Sequence, residues 1–131
     1  MNGETTERVQ GICPDGWHLP SDSEWHILEN YLSSTTCDPN RTGKGCDPAG
    51  SRLKIDGDTG FNAEAGGNIQ SNQVELGFGR YSFYWTSTKD QNNAIGRYLD
   101  SSSSIARGYY SISFTNDSFV PCWYSVRCIK D

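Results

Sequence analysis

The sequence predicts an α+β domain. Three observations predict it: one well-marked amphipathic helix near the start, a series of aromatic, β-prone segments in the last third, and a long Gly- and Asn-rich stretch between them with little periodicity. At 131 residues the chain has the length of one domain, enough for a single core without help from metal.

Residues 9–13 alternate Val, Ile and Cys with Gln and Gly, which predicts a short strand. Pro14-Asp15-Gly16 is a turn. Ser21 is a good helix N-cap, and Glu24 three residues on completes a capping box. Trp25, Leu28 and Leu32 follow at helical spacing and give one apolar stripe, so a helix covers about 22–32. Residues 33–48 are a polar loop holding Cys37 and Cys46, 50–55 predict one helical turn, and 56–72 are Gly-rich. From 80 to 87 the chain alternates, with Tyr81, Phe83 and Trp85 on one side and Ser82, Tyr84 and Thr86 on the other. Residues 93–100, 105–115 and 123–129 predict further strands, with Ser101 to Ser104 as a turn between two of them. Residues 1–8 are polar, without the apolar centre of a signal peptide, and read as linker or an added start. Residues 9–131 read as one domain.

Composition narrows the function. A net charge of -5 argues against a nucleic-acid partner, which needs a basic patch. No apolar run approaches the roughly 20 residues that span a bilayer, so direct membrane insertion is not expected. Five cysteines stand at 13, 37, 46, 122 and 128, with no CxxC pair, and neither His18 nor His26 lies beside a cysteine pair. Disulfides in an oxidising, extracellular or cell-surface setting fit this pattern better than zinc. Spacing alone leaves the pairing open and one cysteine over.

No motif points to catalysis: GxSxG and HExxH are both missing, and Asp15, His18 and Asp22 in the opening segment read as structural. The chain is expected not to be an enzyme and to need no cofactor. Asp56 and Asp58 could hold calcium, but a solvated Asp-Gly turn is the simpler reading. Binding is the better expectation. Residues 92–122 are rich in Tyr, Ser, Gly and Asn, which combine rigid aromatic area with adaptable hydrogen bonding. The candidate contact residues are Tyr98, Asp100, Ser102, Tyr109, Tyr110, Ser111, Ser113, Asn116, Asp117 and Phe119. Which of them point outward depends on strand register, since a slip of one residue inverts a strand. Trp85 and Tyr84 are expected in the core.

Two segments carry a family resemblance. One is Gly11-Ile12-Cys13-Pro14-Asp15-Gly16-Trp17-His18-Leu19-Pro20-Ser21-Asp22-Ser23-Glu24-Trp25; the other is Tyr124-Ser125-Val126-Arg127-Cys128-Ile129-Lys130-Asp131. With Gly60-Phe61-Asn62-Ala63, Tyr84-Trp85-Thr86-Ser87-Thr88 and Arg97-Tyr98-Leu99 between them, the chain resembles the Fibrobacter succinogenes major paralogous domain over essentially its whole length. The resemblance implies a C-type-lectin-like fold, akin to formylglycine-generating-enzyme-like domains, with long irregular loops, a C-terminal antiparallel meander, and paired first and last strands. It implies an extracellular domain of bacterial surface proteins. It also implies a Cys13–Cys128 bridge, after which Cys37–Cys46 follows as the local pair and Cys122 is left over. The chain departs from the family's usual Gly at Trp123. Trp17 and His18 are expected to pack beside the helix start.

Residues 92–122 contain no Lys, Glu, Gln, Met or Trp, the five residue types whose codons need a purine in third place. In this the chain is similar to the variable proteins of diversity-generating retroelements, which randomise adenines in Asn-type codons near the C-terminus of a C-type-lectin-like domain. The expected partner is a surface protein bound by a variable face. The alternatives are a carbohydrate ligand or a spacer role with no ligand.

Overall fold

The computed structural model describes residues 7–69, 75–91, 93–111 and 123–131. In chain order the elements are β1 (Trp17–His18), α1 (Asp22–Leu32), β2 (Gly43–Gly45), α2 (Ala49–Leu53), β3 (Asn68–Ile69), β4 (Glu75–Leu76), β5 (Ser82–Asp90), β6 (Asn93–Leu99), β7 (Ile105–Ser111) and β8 (Ile129–Lys130). This is an α+β arrangement of two helices and antiparallel sheets.

The capping box forms as the sequence requires. Glu24 N donates to Ser21 Oγ at 3.2 Å and Ser21 N donates to Glu24 Oε2 at 2.9 Å, so two otherwise orphaned amides are satisfied at the start of α1. The buried stripe of α1 differs from the expected one. It runs Trp25, Glu29, Leu32, and Leu28 is only half-buried. A carboxylate in the stripe is the physical surprise of this helix, and its partners lie on the sheet.

The main sheet has the order β2-β7-β6-β5, antiparallel throughout. β5, β6 and β7 form the expected meander, with the turn at residues 101–104 between β6 and β7. The described part of the third strand ends at Ser111, so its expected extension to 115 lies outside the described residues. β2 falls inside the stretch read as loop. Its sequence, Gly-Lys-Gly, has no strand propensity and pairs only because β7 offers an edge.

Two strand expectations are corrected. Residues 9–13 form no strand; 11–13 turn instead, with Cys13 N donating to Gln10 O at 2.9 Å, because Gly11 adopts φ +58° and breaks the extended path. The paired terminal strands are β1 and β8, with Trp17 opposite Lys130 and His18 opposite Ile129. Residues 123–129 do not form one strand either. Trp123 bridges Ile69, Ser125 bridges Tyr84, and only Ile129 and Lys130 enter a ladder.

The principal core gathers Trp25 and Leu32 of α1, Leu53 of α2, and Tyr84, Leu99 and Ile105 of the sheet, with Phe61 packed against it. A smaller cluster of Val9, Cys13 and Leu19, with Val126 and Cys128 beside it, holds the two ends together. Cys13–Cys128 and Cys37–Cys46 are disulfide-bonded. Cys122 lies outside the described residues. Among the described residues no helix is long and apolar enough to cross a membrane.

Candidate functional site

Register decides what each face of the meander carries. Pairing of Tyr84 with Arg97, and of Arg97 with Arg107, puts these three on the inner face toward α1. The outer face receives Phe83 and Trp85 from β5, Ala94, Gly96 and Tyr98 from β6, and Ala106, Gly108 and Tyr110 from β7. Residues 123–125 run along the edge of β5, where Ser125 N donates to Phe83 O at 2.9 Å and Trp85 N donates to Ser125 O at 3.1 Å. This lays Tyr124 beside Phe83 and Trp85.

The outer face is therefore a continuous aromatic surface. Tyr124 stacks on Trp85 at 4.4 Å and on Phe83 at 4.9 Å between ring centroids. Phe83 meets Tyr98 at 5.7 Å, and Tyr81 touches both. Tyr110 stands edge-on to Trp85 at 5.9 Å and to Tyr124 at 5.1 Å. Glycine is required beneath it. A Cβ at Gly96 would lie 2.9 Å from the Tyr110 ring, and one at Gly108 would lie 2.9 Å from its hydroxyl. The paired glycines let the ring lie over the backbone of β6 and β7. These rings are neither buried nor free: Phe83, Trp85, Tyr98, Tyr110 and Tyr124 are half-buried and Tyr81 is exposed. Tyr84 sits in the core as expected; Trp85 does not, because strand alternation turns it to the outer face.

The candidate residues named from sequence separate in space. Tyr98 and Tyr110 join the aromatic face. Tyr109 lies across from Ile95 on the opposite face, where Arg107 stacks over its ring at 5.0 Å. Ser111 pairs with Asn93 at the far end of the ladder. Asp100 and Ser102 are in the turn at the other end, and their polar groups serve the turn itself. Asp100 Oδ1 accepts from Ser102 N at 2.9 Å and from Ser102 Oγ at 2.6 Å, and Lys44 Nζ lies 2.5 Å from Oδ2. Partial burial pushes the Asp100 carboxyl up, but the hydrogen bonds from Lys44 and Ser102 outweigh it and hold the group down at about 2. Ser113, Asn116, Asp117 and Phe119 lie outside the described residues. Phe83, Trp85 and Tyr124 contribute to the face without standing among the candidates drawn from sequence, although the alternation at 80–87 is a signal for the first two.

The opening motif serves the fold. His18 is 2% exposed; its Nδ1 lies 2.5 Å from Asp131 Oδ1 and its Nε2 3.1 Å from Glu24 Oε1, which ties the chain's last described residue to the helix start. Trp17, expected to pack with it, is 38% exposed because β1 turns alternate residues outward. Asp15 and Asp22 do not join His18. Asp15 accepts from Gln10 at 3.0 Å, while Asp22 is held by Arg97 and Arg107. Burial raises the Asp22 carboxyl, and the two guanidinium groups more than reverse this, leaving it below the usual range.

Two places could be read as metal sites. Asp58 is gripped by Arg52 through Nε and Nη2, both at 2.9 Å, so its oxygens are committed. His26, Glu29 and Cys37 lie close together, but the Cys37 sulfur is in a disulfide and Glu29 is bound by Arg41 and Arg97, so no thiolate or uncommitted carboxylate is offered.

Fold and site together define a disulfide-bonded α+β domain with an aromatic sheet face. The chain belongs to the Fibrobacter succinogenes major domain family, whose model matches residues 2–130. No curated protein and no solved structure matches it.

Proposed function

We propose that this chain is a non-enzymatic recognition domain of a bacterial or phage-related surface protein, C-type-lectin-like in fold and working outside the cell. The observation that carries the reading is the outer sheet face, where six aromatic rings adjoin one another and Tyr110 lies over the glycine pair Gly96 and Gly108. Aromatic area on rigid strands contributes most to binding for the least ordering cost. Two disulfides support an oxidising location.

The favoured partner is a surface protein, and the face is of the retroelement-diversified type. Tyr98 and Tyr110 come from the segment 92–122 that lacks Lys, Glu, Gln, Met and Trp, whereas Phe83, Trp85 and Tyr124 come from outside it. Diversification would then alter one flank of a constant aromatic platform. Sequencing the locus across a source population tests this. Substitutions gathered between 92 and 122 at adenine-derived codons, with 11–25 and 125–131 constant, are expected. An even scatter would end the diversified reading.

The stacked Tyr124, Trp85 and Phe83 also favour a second reading, a carbohydrate ligand lying flat on the rings. Affinity electrophoresis in gels containing plant polysaccharides tests it. Retardation that Trp85→Ala abolishes would support this reading over the first.

A further inference from the structure

A groove of about 500 Å³ lies between α1 and the segment around Cys128, and none of the six rings of the sheet face lines it. Its volume falls within the range of small-molecule sites. Its walls are mainly apolar and aromatic: Trp25 and Phe61 on the core side, with Ile27 and Tyr31 standing 68% and 80% exposed along the outer edge of α1. Exposed apolar residues one helical turn apart, beside a concave surface, form a contiguous patch rather than scattered surface hydrophobics.

One polar group gives the groove a chemistry. Arg127 is exposed and lies over the Phe61 ring at 4.5 Å, with no carboxylate or carbonyl partner among the described residues. Every other arginine on the core side of the molecule (Arg41, Arg97 and Arg107) is held by an acid or a carbonyl. Trp25 lines the groove but is 2% exposed, and its buried indole N–H lies out of a ligand's reach. The groove's remaining charged residue, Glu24, is already committed to Ser21, His18 and Arg8, so it has little capacity for a ligand. What the groove offers a ligand is an exposed planar guanidinium fork, which suits a carboxylate, set among apolar and aromatic side chains that suit a flat apolar body.

We propose that this groove binds a small aromatic carboxylate, with its ring against Ile27 and Tyr31 and its carboxylate on Arg127. The site is independent of the sheet face, so either can fail without the other.

The test is an NMR titration of the 15N-labelled protein with 3-phenylpropanoate and, in parallel, with the uncharged 3-phenylpropanamide. Saturable shifts of the Trp25 indole N–H and the Arg127 Nε–H are expected with the acid. The amide should bind about tenfold or more weakly, and Arg127→Gln should lose a similar factor while the rest of the spectrum stays unchanged. Ile27→Asp, at an exposed helix position, should weaken the acid's binding without unfolding the chain. Equal affinity for acid and amide, or full affinity in Arg127→Gln, overturns the proposal. So does an absence of saturable shifts. A concentration-dependent rise in mass that Ile27→Asp abolishes would assign the groove to a second copy of the chain and also overturn it.

Discussion

Arg97 Nε meets Glu29 Oε1 at 2.5 Å with both side chains 0% exposed, and this contact joins the centre of the sheet to the middle of α1. The pair does not stand alone. Arg41 Nη2 reaches the other Glu29 oxygen at 3.0 Å, and Asp22 receives Arg97 at 2.7 Å and Arg107 at 2.8 Å. Burying a charge is tolerable only when every partner is present, so the network is sensitive to loss of one member without being a large net source of stability. Glu29→Gln should therefore cost about 3–5 kcal/mol, read by chemical denaturation, because it takes from buried Arg41 its carboxylate partner and leaves buried Arg97 with Asp22 alone. A loss under about 1 kcal/mol would mean that water reaches the pair.

The two disulfides should contribute unequally. Cys13–Cys128 closes a loop of 115 residues and Cys37–Cys46 one of 9. On chain-entropy grounds the first is worth about 5 kcal/mol and the second about 2.5 kcal/mol. Thermal melts of Cys13→Ser/Cys128→Ser and Cys37→Ser/Cys46→Ser variants should rank them in that order.

Gly96→Ala should disturb the aromatic face from beneath. The new methyl would meet Tyr110 at 2.9 Å and the Tyr84 carbonyl oxygen at 3.0 Å. The backbone oxygen cannot swing away as a side chain can, so a cost of about 1–3 kcal/mol is expected, with loss of near-ultraviolet aromatic dichroism. Unchanged dichroism and stability would show that Tyr110 does not rest on Gly96 in solution.

Acid should destabilise the domain in a defined window. The folded Asp100 carboxyl is held at about 2 against an ordinary value of 3.8, so its stabilisation is full above 3.8 and is lost as pH falls through about 2. Asp22 and Glu24, also held below their ordinary values, act in the same direction. Asp100→Asn should be less stable than the parent at neutral pH and show a shallower loss across that window. Parallel pH curves for the two would contradict this account of Asp100.

Much of the fold is legible in local chemistry. The Ser21 and Glu24 capping box marks the start of α1 because its hydrogen bonds are made within four residues. Alternation in residues 80–87 separates Tyr84 from Phe83 because a strand admits two faces only. The 101–104 turn follows from its serines, and the strands on either side from their β-prone residues.

Other features depend on partners distant in sequence. Glu29 looks like a surface residue of an amphipathic helix until Arg97, 68 residues away, is placed against it. Gly43, Lys44 and Gly45 become a strand only because β7 lends them its edge, and Trp17 and His18 only because β8 returns beside them. The same holds for the aromatic face. Local residue pattern dictates which side chains are available for binding and that strands carry them. Register, the glycine floor under Tyr110 and the return of Tyr124 alongside β5 make Tyr98 and Tyr110 share a surface while Tyr109 and Asp100 do not, because strand pairing sets which side chains meet and no single strand encodes its partner.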